Sequence, residues 1–359
     1  MTKVAIITDT HFGSRNDSLI FSKYFQKFYD EVFFPYLREN NIKKIIHMGD
    51  VFDRRKYINY KSFFDAKRYF FDPMVRDSIE CHMLAGNHDT YFKTTNEVNS
   101  VSLLLKGYQN IHVYESPRDG DSDTFYGVNT TFIPWICPEN YIESMDLIQT
   151  TKSQILFGHL EVNGFEMHQG HLCKDGLSID TFNKFDMVFS GHFHHKSSIG
   201  NVHYLGNPYQ IYWSDYKDPR GFHVLDFADR SLEFIQNPYE IFHKIHYNDD
   251  EMTLESIQSK DYSEYKDCYV KLVVVKRNNP FWFDTLLDKL YKSGVADISV
   301  AESFDATLYD EEDHLVDEAE DTMTILSKYI ESLNMDNKTE LDSLLKSLYV
   351  EALTVENVE

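Results

Sequence analysis

Five short apolar runs, each of the kind that forms a buried strand, end in residues able to hold a metal ion. Val4-Ala5-Ile6-Ile7 leads to Asp9-Thr10-His11, Ile45-Ile46-His47-Met48 to Gly49-Asp50, and Cys81-His82-Met83-Leu84 to Gly86-Asn87-His88-Asp89. Later, Ile155-Leu156-Phe157 leads to Gly158-His159, and Met187-Val188-Phe189-Ser190 to Gly191-His192-Phe193-His194. Open α/β sheets collect their ligands at the carboxyl ends of the strands. Taken singly, Asp-X-His is a turn and Gly-Asn-His-Asp a tight loop, because Asn, Asp and Gly are ordinary turn residues. Taken in order, the segments supply two Asp, one Asn and four His as candidate ligands, with one further His left over. That mixture of carboxylate, amide and imidazole reads as a binuclear hydrolytic centre.

The chemistry asks for these residue types. Two cations about 3.5–4 Å apart can share a carboxylate and polarise a phosphoryl oxygen together. Asp50, ending the second strand, is the natural bridge, since one carboxylate offers two oxygens. His and Asn are neutral ligands that leave the site cationic enough to attract a phosphodiester. Mixed nitrogen and oxygen ligation suits Mn²⁺, Fe²⁺ or Zn²⁺.

The chain has 359 residues, enough for two or three domains, and its 27 Phe and 24 Tyr can build a sizeable core. Strands alternate with helices through the first part, the pattern of an α/β layered fold. Cys81, Cys137, Cys173 and Cys268 lie far apart and form no Cys-X-X-Cys pair, so reduced cysteines are expected. The start of the chain runs directly into a strand, and no apolar run approaches the roughly 20 residues of a membrane span. A soluble, cytoplasmic protein is the expectation, with no membrane partner. The net charge of −23 is uneven: residues 301–359 carry 17 Asp and Glu against three Lys. The rest is only mildly acidic, yet lacks the basic surplus of a strong standing DNA binder. Either substrate is gripped mainly at the metals or a partner supplies the phosphate contacts.

Along the chain, Asp17 or Ser18 can cap a helix reaching about Glu39, with Phe21, Tyr24, Phe25, Phe28, Val32 and Phe33 at helical spacing. A second aromatic helix is expected from about Tyr60 to Phe71. Both stripes can pack on a sheet, and rings on more than one face leave room for a dimer contact. Short strands between Tyr204 and Phe227 are expected to finish a second sheet. After about Phe242 the pattern becomes strand (Tyr269–Lys276), helix (Trp282–Tyr291) and strand (Asp297–Ala301), a small α+β unit. An acidic stretch, Asp305–Asp321, reads as a linker. Two short amphipathic helices then close the chain, the second opening on a capping box formed by Asn337 and Glu340.

At these motifs the sequence resembles the SbcD-type nucleases, the family of the meiotic-recombination double-strand-break nuclease, and most of all its T-even-type phage branch of recombination endonuclease subunits. Besides the metal segments, the resemblance rests on Ile133-Pro134-Trp135, Leu160-Glu161-Val162-Asn163-Gly164 and Asp218-Pro219-Arg220-Gly221-Phe222. It implies a four-layer calcineurin-like metallophosphoesterase fold, a double β-sheet sandwich flanked by helices, over residues 1–242. A capping domain that orients DNA would occupy 243–305, and 306–359 would be an acidic linker and helices binding an SbcC/Rad-type coiled-coil ATPase. Homodimerisation is implied as well. Asp9, His11, Asp50 and His194 would hold one divalent ion, and Asp50, Asn87, His159 and His192 the other. The pair would be Mn²⁺, with Mg²⁺ as an alternative. His88 would then be the general acid for the leaving 3′ oxygen, oriented by Asp89, or else a structural histidine. The implied reaction is hydrolysis of DNA phosphodiesters, as duplex exonuclease and single-strand endonuclease, in double-strand-break processing and recombination.

One departure is Asp53, where many cellular members have His. Asp53-Arg54-Arg55-Lys56 reads equally as a phosphate contact or a solvated helix start. The rival function is a phosphoprotein or small-phosphoester phosphatase. Those enzymes place Arg before Gly-Asn-His and Glu after it, where this chain has Ala85 and Asp89. Without that Arg, a bidentate grip on a terminal phosphate is missing.

Overall fold

The computed structural model describes residues 2–168 and 171–302, together with Ile330, Lys338, Leu341 and Leu345. The linker and terminal helices expected over 306–359 otherwise lie outside the described residues. The chain divides into two compact units, one formed by Met1–Ile211 with Lys217–Ile241, the other by Tyr212–Tyr216 with the chain from Phe242 onward.

In the first unit, among the described residues, two six-stranded sheets carry the fold. The first is ordered Leu232–Gln236, Gly221–Asp226, Lys3–Ile7, Lys44–His47, Glu80–Leu84, Ile111–Tyr114. Its last four strands run parallel, in a register that pairs Ile7 with His47 and His47 with Met83. The second sheet is ordered Ser197–Ile199, Val202–Tyr204, Met187–Gly191, Ile155–His159, Thr130–Ile133, Arg118–Asp119, with its four central strands parallel. The five motif-bearing strands lie where the apolar runs place them.

Side-chain alternation along each strand builds the layers. Val4, Ile6, Ile46 and Leu84 meet Phe132, Phe157 and Phe189 in one buried cluster, so the two sheets pack face to face. The outer face of the first sheet is covered by aromatic helices: the Phe33 and Phe222 rings lie 4.8 Å apart and His47 and Phe70 5.8 Å. The outer face of the second sheet buries Leu156, Val188 and Tyr204 with Ile148 of the helix Tyr141–Thr150. Burying such side chains contributes roughly 1.5–3 kcal/mol each. Helix, sheet, sheet, helix is the calcineurin-like arrangement.

Two expectations change. Gly221–Asp226 joins the first sheet, not the second, lying antiparallel to Lys3–Ile7 with Ala5 opposite Val224. The second aromatic helix does not stop at Phe71: Tyr60–Ala66, a wide π turn Lys67–Phe71 and Asp72–Arg76 follow without a break. Its Pro73 lacks an N–H, and the widened turn before it absorbs the lost bond; the first helix does the same with Tyr29–Phe33 ahead of Pro35. Most helix rings are buried, whereas Tyr60 and Phe64 are exposed.

In the second unit, Phe242–Asn248, Tyr269–Lys276 and Asp297–Glu302 form a parallel three-stranded sheet. Leu272 and Val274 pack there on Phe283, Leu286 and Leu290 of the helix Pro280–Ser293. All four cysteines are free and buried. No helix among the described residues is long and apolar enough to cross a membrane.

Candidate metal centre

Parallel pairing continues past the strand ends and fixes the loops that bear the candidate ligands. The Asp9 amide donates to the Gly49 carbonyl at 3.0 Å, His11 to Asp50 at 3.1 Å and Phe12 to Val51 at 2.9 Å. The turns are tight enough to force left-handed backbone on side-chain-bearing residues: φ is +52° at Asp9, +42° at His11, +54° at Asp50 and +83° at His192. Such conformations persist only where the surroundings overdetermine them, and they gather at functional sites. Gly86 is needed for close approach, since a Cβ there would lie 2.2 Å from Asp50 Oδ1.

The side chains converge. Ligating atoms of Asp9, His11 and His194 lie within 4.8 Å of one another, as do those of Asp50, His159 and His192. Asp50 stands between the groups, its Oδ2 3.8 Å from His11 Nε2 and 3.4 Å from His159 Nε2. Asn87 Oδ1 faces His159 Nε2 at 2.8 Å and His192 Nδ1 at 2.9 Å. His11 Nε2 and His194 Nε2 face each other at 3.0 Å. Two neutral imidazoles there can share at most one proton, and a cation would satisfy both lone pairs. A third group, His11, Asp50 and His88, overlaps the first two.

The electrostatics also favour added positive charge. Burial raises the Asp9 carboxyl to about 6, although His159 opposes the shift. Burial alone would raise Asp50 too, but His159, His88 and His11 hold it well below the usual carboxylate range. Burial together with the neighbouring His88 pushes His11 down to about 3, so its lone pairs are available. His159 goes the other way: burial disfavours its charge, yet Asp50 and Asp9 lift it to about 9. A divalent ion would supply the charge that a protonated His159 otherwise provides.

The remaining residues of the motifs have different duties. His88 is half-buried, with Nδ1 2.5 Å from the Asp53 carbonyl oxygen, and its backbone amide donates to Asp50 Oδ1 at 2.8 Å. Burial opposes its charge, but Asp50 and Asp53 raise its pKa above the usual value. The hydrogen bond that orients its ring is to the Asp53 backbone. The Asp89 carboxylate instead accepts from the amides of Val51 at 3.0 Å, Phe52 at 3.2 Å and Gly86 at 2.9 Å, tying two site loops together. Burial, with Asp50 adding to it, raises Asp89 to about 7.

Arg54 and Arg55 both have internal partners. Arg54 pairs with Asp17 at 2.9 Å, while Arg55 donates to the Thr90 carbonyl and hydroxyl at 3.1 Å. Those partners are internal and the helix opens only at Tyr60, so Asp53-Arg54-Arg55-Lys56 is not the solvated helix start that one reading offered. His195 pairs with Asp218 at 2.8 Å, outside the converging groups. Two residues of the quoted motifs had no role assigned to them from the sequence. Buried Arg220 bonds to the His194 carbonyl, and Glu161 Oε1 stands 3.3 Å from His192 Nε2.

Comparison with known proteins places these observations. The model of the calcineurin-like phosphoesterase family matches residues 2–196. Exonuclease subunit 1 of Enterobacteria phage T4 is 31% identical over 322 residues, which is 88% of this chain and 90% of that protein. A subunit of the nuclease SbcCD from Staphylococcus saprophyticus is 28% identical over 115 residues, 26% of this chain and 31% of that protein. Among solved structures, a dimetal phosphatase from Danio rerio matches 66% of this chain and 96% of its own, at 10% identity and a TM-score of 0.37.

Proposed function

Since the chain belongs to the calcineurin-like phosphoesterases, which are metal-dependent, we propose that it is a two-metal nuclease hydrolysing DNA phosphodiesters. The observation that carries this reading is the convergence on Asp50, whose carboxylate lies between a group formed by Asp9, His11 and His194 and one formed by His159 and His192. Asp9, His11, Asp50 and His194 would hold one cation, and Asp50, Asn87, His159 and His192 the other. The proposed ion is Mn²⁺, with Mg²⁺ as the alternative. When bound, such a pair supplies Lewis-acid polarisation of the phosphodiester and a nucleophilic water.

The rest is the work of the protein's own side chains. With its Nδ1–H donated to the Asp53 carbonyl, His88 keeps Nε2 to hold a proton and deliver it to the leaving oxygen. Asp50 and Asp53 favour the protonated ring. Asp89 keeps the loops of Asp50 and Asn87 in place through the amides it accepts. Ala85 and Asp89, in place of the Arg and Glu of phosphoprotein phosphatases, support a diester over a terminal phosphate.

DNA as substrate is supported by the names of the two relatives, an exonuclease subunit and a nuclease subunit. Both being subunits supports a partner, proposed to be an SbcC/Rad-type coiled-coil ATPase bound through residues 306–359. Residues 1–242 would be the nuclease domain, 243–305 the DNA-orienting cap, and the working form a homodimer. The test is digestion of end-labelled duplexes and single-stranded circles with Mn²⁺ or Mg²⁺, with and without the ATPase and ATP. Shortening of duplex ends and nicking of circles is expected. Hydrolysis of a phosphopeptide with no cleavage of DNA would move the assignment to a phosphatase. Protein ending at Asp305 should keep basal nuclease activity and lose ATPase capture in a pull-down.

A further inference from the structure

Glu161 is exposed enough to pass for an ordinary surface acid, with 52% of its side chain accessible. Its surroundings argue otherwise. Oε1 lies 3.3 Å from Nε2 of His192, while Nδ1 of that ring faces Asn87 Oδ1 at 2.9 Å. His192 above all, with the Trp135 indole as a lesser neighbour, lowers the pKa of the carboxyl. The Arg55 guanidinium lies over the Trp135 ring, 5.0 Å from its centroid. Arg55 donates to the carbonyl and hydroxyl oxygens of Thr90 at 3.1 Å, and the Thr90 hydroxyl donates to the Asn87 carbonyl at 3.1 Å. Asn87 and His192 are therefore joined twice, directly at their polar tips and by a circuit through Thr90, Arg55, Trp135 and Glu161.

We infer that Glu161 is a positioning residue that aims His192 Nδ1 at a metal ion. An imidazole offering its Nδ1 lone pair must carry its proton on Nε2. A carboxylate accepting that proton fixes the tautomer, stops the ring from turning and makes Nδ1 a stronger donor. His159 is fixed in the complementary way: its Nδ1 meets the Met48 carbonyl at 2.8 Å, which leaves Nε2 for the centre. Two histidines of one proposed ion are thus each held through the nitrogen that does not ligate, one by a buried carbonyl and one by Glu161. Trp135 and Arg55 stand a step further out, beside the carboxylate.

This role rests on the ligand assignment made under the proposed function, and the test separates the two. Mn²⁺ is titrated calorimetrically into metal-free wild type, Glu161→Ala and Glu161→Gln, and hydrolysis of bis(p-nitrophenyl) phosphate is followed against Mn²⁺ concentration. In Glu161→Ala one of two binding events should weaken by ~10–100-fold, the usual effect of removing such a partner, while the other is unchanged. The Mn²⁺ needed for half-maximal hydrolysis should rise, with the rate recovered at saturation. Glu161→Gln keeps an oxygen for the Nε2–H and should fall between alanine and wild type. The thermal midpoint of the metal-free protein should be the same in all three. Wild-type affinities at both sites in Glu161→Ala would overturn the role, as would loss of both ions. A wild-type protein that took up fewer than two Mn²⁺ would sink the two-metal reading itself.

Discussion

In the second unit the strand Phe242–Asn248 runs into Asp249, whose carboxylate accepts the Tyr247 hydroxyl and the amides of Asn278 and Asn279. In the first unit the strand Lys44–His47 runs into Asp50, whose Oδ1 accepts one amide and whose Oδ2 faces two imidazoles. Both carboxylates follow parallel strands, and both are held well ionised. They differ in what fills their lone pairs. Asp249 spends its acceptors on the turn that leads into the helix Pro280–Ser293, whereas Asp50 keeps an oxygen aimed at groups that are themselves acceptors when neutral. A strand-end acid closes a loop unless its neighbours withhold donors. Asp89 shows the rule inside the site: it sits in a ligand motif, yet its three amide bonds make it a loop closer like Asp249.

That contrast can be broken or sharpened by substitution. The largest effect is expected at Asp50. Asp50→Asn should abolish hydrolysis and weaken binding of both Mn²⁺ ions, because one residue serves both groups; two tightly held ions and normal turnover in that variant would remove Asp50 from the bridge. Next comes His88→Gln, which should lower the rate by ~10²–10⁴ with two ions still bound by metal analysis. Loss of an ion would make His88 a ligand, as its place in the third converging group allows.

Asp89→Ala sharpens the contrast from the other side. It leaves three buried amides unanswered and should cost on the order of 3 kcal/mol in urea unfolding of metal-free protein, where Asp50→Asn has no such cause of instability. Equal stability of the two variants would erase the distinction drawn between these acids.

The smallest effect is at His223, remote from the site. Burial, with Lys196 nearby, pushes it from 6.5 down to about 3. The unfolded chain therefore binds a proton that the folded one refuses, and stability falls as pH drops from 6.5 towards 3. The slope is about 1.4 kcal/mol per pH unit for a fully titrating unfolded state. His223→Phe should flatten that limb in a pH series of unfolding midpoints while leaving Mn²⁺ affinity at neutral pH unchanged.

The strands of the site were legible because they are buried on both faces and so read as unbroken apolar runs. The ligand candidates were legible because each ends such a run. Contacts between distant segments were not. Nothing near Arg54 points to Asp17, nothing near Arg55 to Thr90, and the partner of His88 is a carbonyl, which carries no residue identity. The sheet membership of Gly221–Asp226 escaped for a related reason: its apolar pattern fits either sheet, and only pairing with Lys3–Ile7 decides. The helix beyond Phe71 escaped because the aromatic stripe that marked it ends there, while a wide turn carries the helix on past Pro73.

The loops of Asp9, Asp50 and Asn87 issue from three neighbouring strands, with that of Asp50 in the middle. Adjacent strands in any sheet lie about 4.8 Å apart. In the proposed assignment Asp50 is shared because of its address, with Asp9 and His11 one strand to one side and Asn87 one strand to the other. The spacing of the residues that would hold the two ions is then inherited from the repeat of the sheet. Insertions elsewhere in the chain can alter what reaches the centre while leaving its metre fixed. Slippage of the central strand would carry Asp50 away from both neighbours at once.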